Sequence, residues 1–564
     1  MKTKLLLIVL LLITSCDSDN DRENAVNDTQ VASANEQNLT SKAMHNETAY
    51  IPSQCYTKTE DENGGIHNPC YSCHITSKSP NYVNDGDLQL TYSFPEYANT
   101  NHWKNLFKDR EPLINATSNA TILEYIREDN YKNEKGEIKL TKTLDNVPEG
   151  WDFNSDGQWS GFAPDCYYNF DEQGFDLNPQ GQFTGWRAFA YTPFLGTFWP
   201  TNGSTDDVLI RLGKPFRSDE NGEEDIEVYK LNLAIVEAMI TRSDVAINPV
   251  DETPYDVDLD KDGIIGTANI IHYDWAPLEN RTMSYVGQAK QQQAEGKLHL
   301  AAGLFPETTE FLHSVRYIDV DENGNTKMAA RMKELRYAKK SAWRTYSELK
   351  LANDHEVKEE NDFPDRMEQF IGDVESGLRN GEGWVYQGFI EDAHGELRPQ
   401  TYEETVFCMG CHSNLGATTD DIFSFPRKLS TKDAHQQGWY HWMQKDLKNT
   451  PEPLRSDGQF EYSYYLENNQ AGDEFRENNE VINRFFDKAG NLKPAEIETL
   501  HSDVTHLLSP SKERALTLNK AYKIIVDEQS FIEGRDAIVK PPQNIHKSVK
   551  DEQPSGVEFM LSGP

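Results

Sequence analysis

Two stretches of this chain carry the same pattern, Cys-x-x-Cys-His: Cys70-Tyr71-Ser72-Cys73-His74 and Cys408-Met409-Gly410-Cys411-His412. Thiols separated by two residues can form thioethers to the two vinyl groups of one porphyrin, and the following histidine can then coordinate iron from one face. Zinc ribbons also use two Cys-x-x-Cys pairs, but those pairs lie about 15–20 residues apart and leave the histidines without a role. The spacing predicts two covalently bound haem c groups. Cys70, Cys73, Cys408 and Cys411 attach them, with His74 and His412 as proximal ligands.

The sixth iron position decides the chemistry. Ligands on both faces give a closed electron carrier, and an open position admits peroxide or a small ligand. His435, His441 and Met443 follow the second motif on a predicted helix over 431–447, and His102 follows the first. These four are the candidate distal ligands. Arg187 and Arg211 are candidate partners for haem propionates.

A second kind of chemistry is written in aspartates. Asp258-Leu259-Asp260-Lys261-Asp262-Gly263-Ile264 starts like an EF-hand calcium loop. Oxygens stand at positions 1, 3 and 5, glycine turns the chain at 6, and Ile264 supplies a carbonyl at 7. Position 12 is Asn269, not a bidentate glutamate, so a missing ligand comes from elsewhere or from water. Asp152, Asn154, Asp156 and Gln158 around Gly157 repeat the pattern. Asp319-Val320-Asp321-Glu322-Asn323-Gly324 is a weaker match and also reads as a hairpin turn.

The motifs resemble those of c-type cytochromes at large, which implies haem attachment and electron transfer. Two haem motifs with calcium are also similar to the bacterial di-haem cytochrome c peroxidase group. That resemblance rests on the two motifs alone; it implies one electron-accepting haem, one peroxide-reactive haem and calcium between them. Lys2 and Lys4, an apolar run over residues 5–13 and Ile13-Thr14-Ser15-Cys16 resemble a lipoprotein signal ending in a lipidated cysteine. The run is too short to span a bilayer, which takes about twenty apolar residues. Cys55 and Cys166 remain as one even pair outside the cytoplasm. A disulfide between them is the expectation, with a thiolate haem ligand as the alternative.

Composition narrows the partners. The formal net charge of −38 repels nucleic acid and anionic lipid surfaces, so the acyl group serves as the membrane anchor. A basic redox partner protein would be drawn in.

The expected organisation is a signal peptide and lipidated Cys over 1–16, a disordered tether over 17–48, a first haem region over 49–400 with the aspartate loops, and a mainly helical second haem region over 401–564. The fold class is α+β: irregular and loop-rich, with short strands and hairpins in the front half and little regular sheet. Helices are predicted over 284–303, 328–352, 365–378, 431–447, 494–508 and 510–530, the last capped by Ser509. The function read from this is one-electron transfer by an exported, lipid-anchored di-haem cytochrome in the bacterial cell envelope. The alternatives are a peroxidase-like oxidoreductase with one open iron, and a calcium-stabilised surface protein that binds or senses redox state.

Overall fold

A computed structural model describes residues 38–61, 64–196, 199–429, 434–470 and 478–563. The strands among them are β1 (Phe175–Leu177), β2 (Phe183–Ala188), β3 (Thr205–Asp206), β4 (Leu209–Arg211), β5 (Val245–Asp251), β6 (Thr267–Ile271), β7 (Glu310–Val320), β8 (Thr326–Lys340), β9 (Ile371–Asp373), β10 (Gly377–Arg379), β11 (Trp384–Glu391) and β12 (Leu397–Pro399). Ten of them form one sheet in the order β1-β2-β4-β7-β8-β11-β10-β9, with β3 on β7 and β12 on β11; β5 and β6 form a separate hairpin. All pairings are antiparallel. The class is α+β as expected, but the central sheet is far more regular than the sequence suggests.

β7 and β8 show why. Residues 328–352 are rich in Ala, Lys, Met and Leu and read as a helix, yet 326–340 is a strand. Met332 and Leu335 pack into one side of the sheet and Ala338 into the other. Burial on two faces outweighs helix preferences worth only tenths of a kcal/mol per residue. Asp321 turns the hairpin by accepting the amides of Asn323 and Asn325, and Gly324 takes the positive φ that the turn needs. Asp319 is drawn into an ion pair with Arg127, so this third aspartate stretch is a hairpin.

Other helices are corrected in the same way. Residues 371–379 form β9 and β10, and the described part of 431–447 holds only a short 3-10 turn, His435–Gly438. The predicted 284–303 helix shrinks to Gly287–Ala294. The last two predictions hold, as Pro494–Ser502 with Thr505–Leu508, and as Lys512–Glu528. Ser511 rather than Ser509 caps the final helix, accepting from the amide of Arg514.

The two regions expected from the sequence, 49–400 and 401–564, are not separate bodies. One core cluster runs from Ala49 to Ile545, and the C-terminal segment returns to bridge Thr57, Thr91 and Thr100. Cys16 and residues 17–37 lie outside the described residues. The tether expectation is corrected for 38–48, because Leu39 is buried and the amides of His45 and Asn46 donate to Glu403. No helix among the described residues is long and apolar enough to cross a membrane.

Candidate functional site

Both Cys-x-x-Cys-His motifs fold as one helical turn. In the first, a 3-10 turn at Cys70–Ser72 is followed by a 2.9 Å bond from the His74 amide to the Cys70 carbonyl. The second extends the helix Tyr402–Met409, and the His412 amide donates to the Cys408 carbonyl at 3.2 Å. Residues three apart on such a turn share a face, so each pair of thiols projects together. The residues between them anchor the turn elsewhere: Tyr71 and Met409 are fully buried. A capping box between Thr401 and Glu404 starts the second helix, and Arg398 grips Glu404 with two bonds of 2.8 and 2.9 Å.

The fold brings the distant motifs onto one cavity of about 880 Å³, lined by Cys70, Cys73, His74, Cys408, Cys411 and His412 together. That size is near the upper end for small-molecule sites. Two glycines permit the approach. A Cβ on Gly410 would lie 1.9 Å from the Tyr50 carbonyl oxygen, and one on Gly416 would lie 2.2 Å from that of Ile75. Asp85 then stitches the turns together. One oxygen is 2.9 Å from His74 Nδ1 and accepts the Gly416 amide at 3.2 Å; the other accepts the Ile75 amide. The Ala417 amide donates to the Cys73 carbonyl.

His412 is held differently. Its Nδ1 donates to the Asp421 backbone carbonyl at 2.7 Å, with Tyr386 and Phe423 against its ring. Burial lowers its pKa to about 4, against the opposing effect of the Asp421 bond, so the imidazole is neutral at neutral pH. Engaging Nδ1 in both histidines leaves Nε2 as the nitrogen able to bind iron, a usual arrangement for ligating histidine. Burial pushes the Cys70 thiol up to about 12 and Cys411 to about 11. Among the described residues the four thiols do not converge within 4.8 Å of one another.

One face of the sheet walls the same cavity through Phe311, His313 and Val315 of β7 and Glu334, Arg336 and Ala338 of β8. Burial alone would raise Glu334, but Arg336 and Arg535 hold it down to about 2, at 3.0 and 2.8 Å. Tyr386 Oη and Arg535 Nε are among the buried atoms of lining residues that have no hydrogen-bond partner. Together with the paired thiols and anchored histidines, this polar set on a wall that includes many aromatic rings is compatible with a porphyrin.

Several expected site residues lie elsewhere, and none of the four distal candidates lines the cavity. His441 is 2% exposed and uses both ring nitrogens, with Nε2 3.0 Å from Asp207 and Nδ1 accepting the Met443 amide. His102 stacks on Tyr97 and bonds its carbonyl. His435 and Met443 are exposed. Arg187 is sandwiched between Phe175 and Trp439, and Arg211 pairs with Asp165 and Glu310.

The expected disulfide is also corrected, since both thiols are unpaired. Cys55 lines the cavity. Cys166 packs with Leu312, Leu335 and Phe389, which point to the opposite side of the sheet from His313 and Arg336. A bridge needs Cα atoms within about 7 Å, and the sheet stands between them.

The two aspartate loops share a device that the sequence hides. Each is completed by a buried glutamate from outside the loop, Glu252 or Glu375. Glu252 accepts the amides of Leu259 and Gly266, loop positions 2 and 9. Glu375 accepts those of Phe153 and Ser160, the same two positions. Asp258 and Asp152 each accept the amide of the loop glycine, at 3.0 and 2.7 Å. Position 4 is left-handed in both, at Lys261 and Ser155. In the first loop Glu252, Asp258 and Asp260 bring ligand oxygens within 4.8 Å of one another, and Asp258 Oδ1 has no partner. The third acid of that group is Glu252, because Asp262 turns to accept the Ile264 amide.

A family model described as a "-like lipoprotein" matches residues 39–503, and the chain belongs to this lipoprotein family. It is a lipid-anchored protein of the cell envelope. It is similar to an uncharacterized lipoprotein of Aquifex aeolicus (strain VF5), with 32% identity over 568 residues, 90% of this chain and 89% of that protein. No solved structure matches.

Proposed function

We propose that this envelope lipoprotein is a di-haem c-type cytochrome that transfers single electrons between a donor and an acceptor, one of them a basic redox protein. The observation that carries the reading is the convergence of two Cys-x-x-Cys-His turns on one cavity, each with its histidine anchored through Nδ1. Covalent haem supplies a one-electron ferric/ferrous couple. The chain's own part is to attach it through Cys70, Cys73, Cys408 and Cys411, to hold His74 and His412 for iron, and to exclude water with Tyr191, Phe194 and Phe407. Arg336 and Arg535 neutralise anionic groups inside that wall, where an unpaired charge would be costly. Sharing one cavity favours exchange of electrons between the two groups.

Haem content tests this. Protein made with the c-type maturation machinery should carry two haems per chain that resist acid-acetone extraction. Cys73→Ser or Cys411→Ser should each lower the mass by one haem and leave the other attached. A preparation without haem would end the proposal.

Calcium is the second element, motivated by the shared geometry of the two aspartate loops. Glu252 and Glu375 stand in for the terminal glutamate of an EF-hand. Calcium should raise the thermal midpoint, and Glu252→Gln should remove part of that gain while changing the midpoint in chelator much less. An equal loss in calcium and in chelator would make Glu252 only a loop clamp.

A further inference from the structure

We infer that His313 is the sixth ligand to the iron carried at His412, an inference that rests on the di-haem reading. Strand alternation in β7 places Phe311, His313 and Val315 on the cavity wall, across from Arg336 on β8. Tyr386 of β11 pairs with Ala338, two residues along β8 from Arg336. That face of the sheet therefore carries both His313 and the aromatic ring that packs on His412.

The His313 ring is anchored through Nδ1 as the proximal histidines are. Its Nδ1 lies 3.2 Å from the Asp207 carbonyl oxygen and 3.5 Å from a carboxylate oxygen of Asp206. These are the two kinds of anchor that hold the proximal histidines, a backbone carbonyl at His412 and a carboxylate at His74. The anchors are themselves fixed. Asp207 accepts from the Ser314 amide and hydroxyl and bonds His441 Nε2, and Tyr191 donates to Asp206. Buried His441, expected as a ligand, thus stands one residue behind the histidine that reaches the cavity.

Competitors are few. Among the described residues no methionine lines the cavity. The other histidine on its wall, His355, is exposed and pairs with Glu359. Cys55 lines it too, but a free thiol outside the cytoplasm is readily oxidised. A side chain on a rigid strand with both anchors in place is preorganised to bind.

The test uses the full-length, haem-loaded protein, with Cys73→Ser added to isolate the haem at His412. His313→Ala should convert that haem from low to high spin, seen by absorption and electron paramagnetic resonance. It should then bind carbon monoxide where the parent does not, and added imidazole should restore the low-spin signal. His313→Met, which keeps bulk and a ligating atom, should stay largely low spin with a shifted potential, and it covers the case in which the alanine variant fails to fold. An unchanged spectrum with haem loaded in both variants would overturn the role of His313 and leave the di-haem reading standing. Carbon monoxide binding by the parent haem at His412 would overturn it as well. Absence of haem in the unmodified protein would instead overturn the di-haem reading, and this inference with it.

Discussion

The two histidine-bearing turns share a backbone design and differ in what surrounds them. His74 leans on a carboxylate and keeps 19% of its side chain exposed. His412 leans on a backbone carbonyl, packs against two aromatic rings and is driven down to about 4 by burial. A carboxylate partner makes an imidazole a stronger donor than a carbonyl does. The same five-residue motif is therefore given two electronic settings by second neighbours. A haem at His74 should have the lower potential and one at His412 the higher, so electrons should rest on the His412 side.

Disrupting the junction between the turns should have the largest effect. Gly410→Ala would drive a methyl group into the Tyr50 carbonyl, with backbone rather than a flexible side chain in the way. We expect a loss of roughly 3 kcal/mol or more, above the usual range for overpacking, and impaired loading at the second motif. Gly64→Ala or Gly136→Ala, where nothing lies near the added carbon, should cost about 1 kcal/mol through positive φ alone. Chemical denaturation measures the contrast, and equal losses would show that close approach is not what glycine provides at 410.

Acid should next pick out the His412 side. Glu334 has an ordinary carboxyl pKa when unfolded and about 2 when folded, because Arg336 and Arg535 overcome its burial. A depressed folded pKa stabilises above the unfolded value, and that contribution disappears as pH falls from about 4.5 toward 2. Stability measured across this window should drop by a few kcal/mol in the parent. Glu334→Gln should flatten that part of the profile and lower stability at pH 7 by about 3–5 kcal/mol, since two arginines lose their counter-charge. A variant with an unchanged profile would assign the acid response to other carboxylates.

The smallest effect sharpens the comparison most directly. Asp85→Asn keeps an acceptor for the Ile75 amide but removes the negative charge beside His74. The potential of the His74 haem should rise on the order of 50 mV, about a tenfold change in a one-electron equilibrium, and that of the His412 haem should move far less. Equal shifts of both would mean that Asp85 acts through the shared cavity and not through its histidine.

Much of this was legible in the chain, and its limits are instructive. Cys70, Cys73, His74, Cys408, Cys411 and His412 could be read because their spacing within one helical turn is local. Asp258 and Asp260 were readable for the same reason, whereas Glu252 and Glu375 fall outside the loop consensus and carry no local signal. The distal candidates failed through proximity in sequence: His441 follows the second motif but turns to Asp207. His313 offered one usable signal, the alternation Phe311-x-His313-x-Val315, which places it on one face of a strand. It was hidden because β8 reads as a helix, and without β8 there is no sheet face to assign.

Short-range order along the chain determined the two Cys-x-x-Cys-His turns, the loop turns at Gly157 and Gly263, and the final helix. Each depends on residues a few positions apart, so spacing and side-chain type suffice. The shared cavity, the Glu334–Arg336–Arg535 cluster, the separation of Cys55 from Cys166 and the placing of His313 on the same cavity as His412 depend on strands paired across long stretches of sequence. Those contacts were chosen by burial on both faces of a ten-stranded sheet, where packing energy summed over many residues overrides the weak local preferences that a sequence displays.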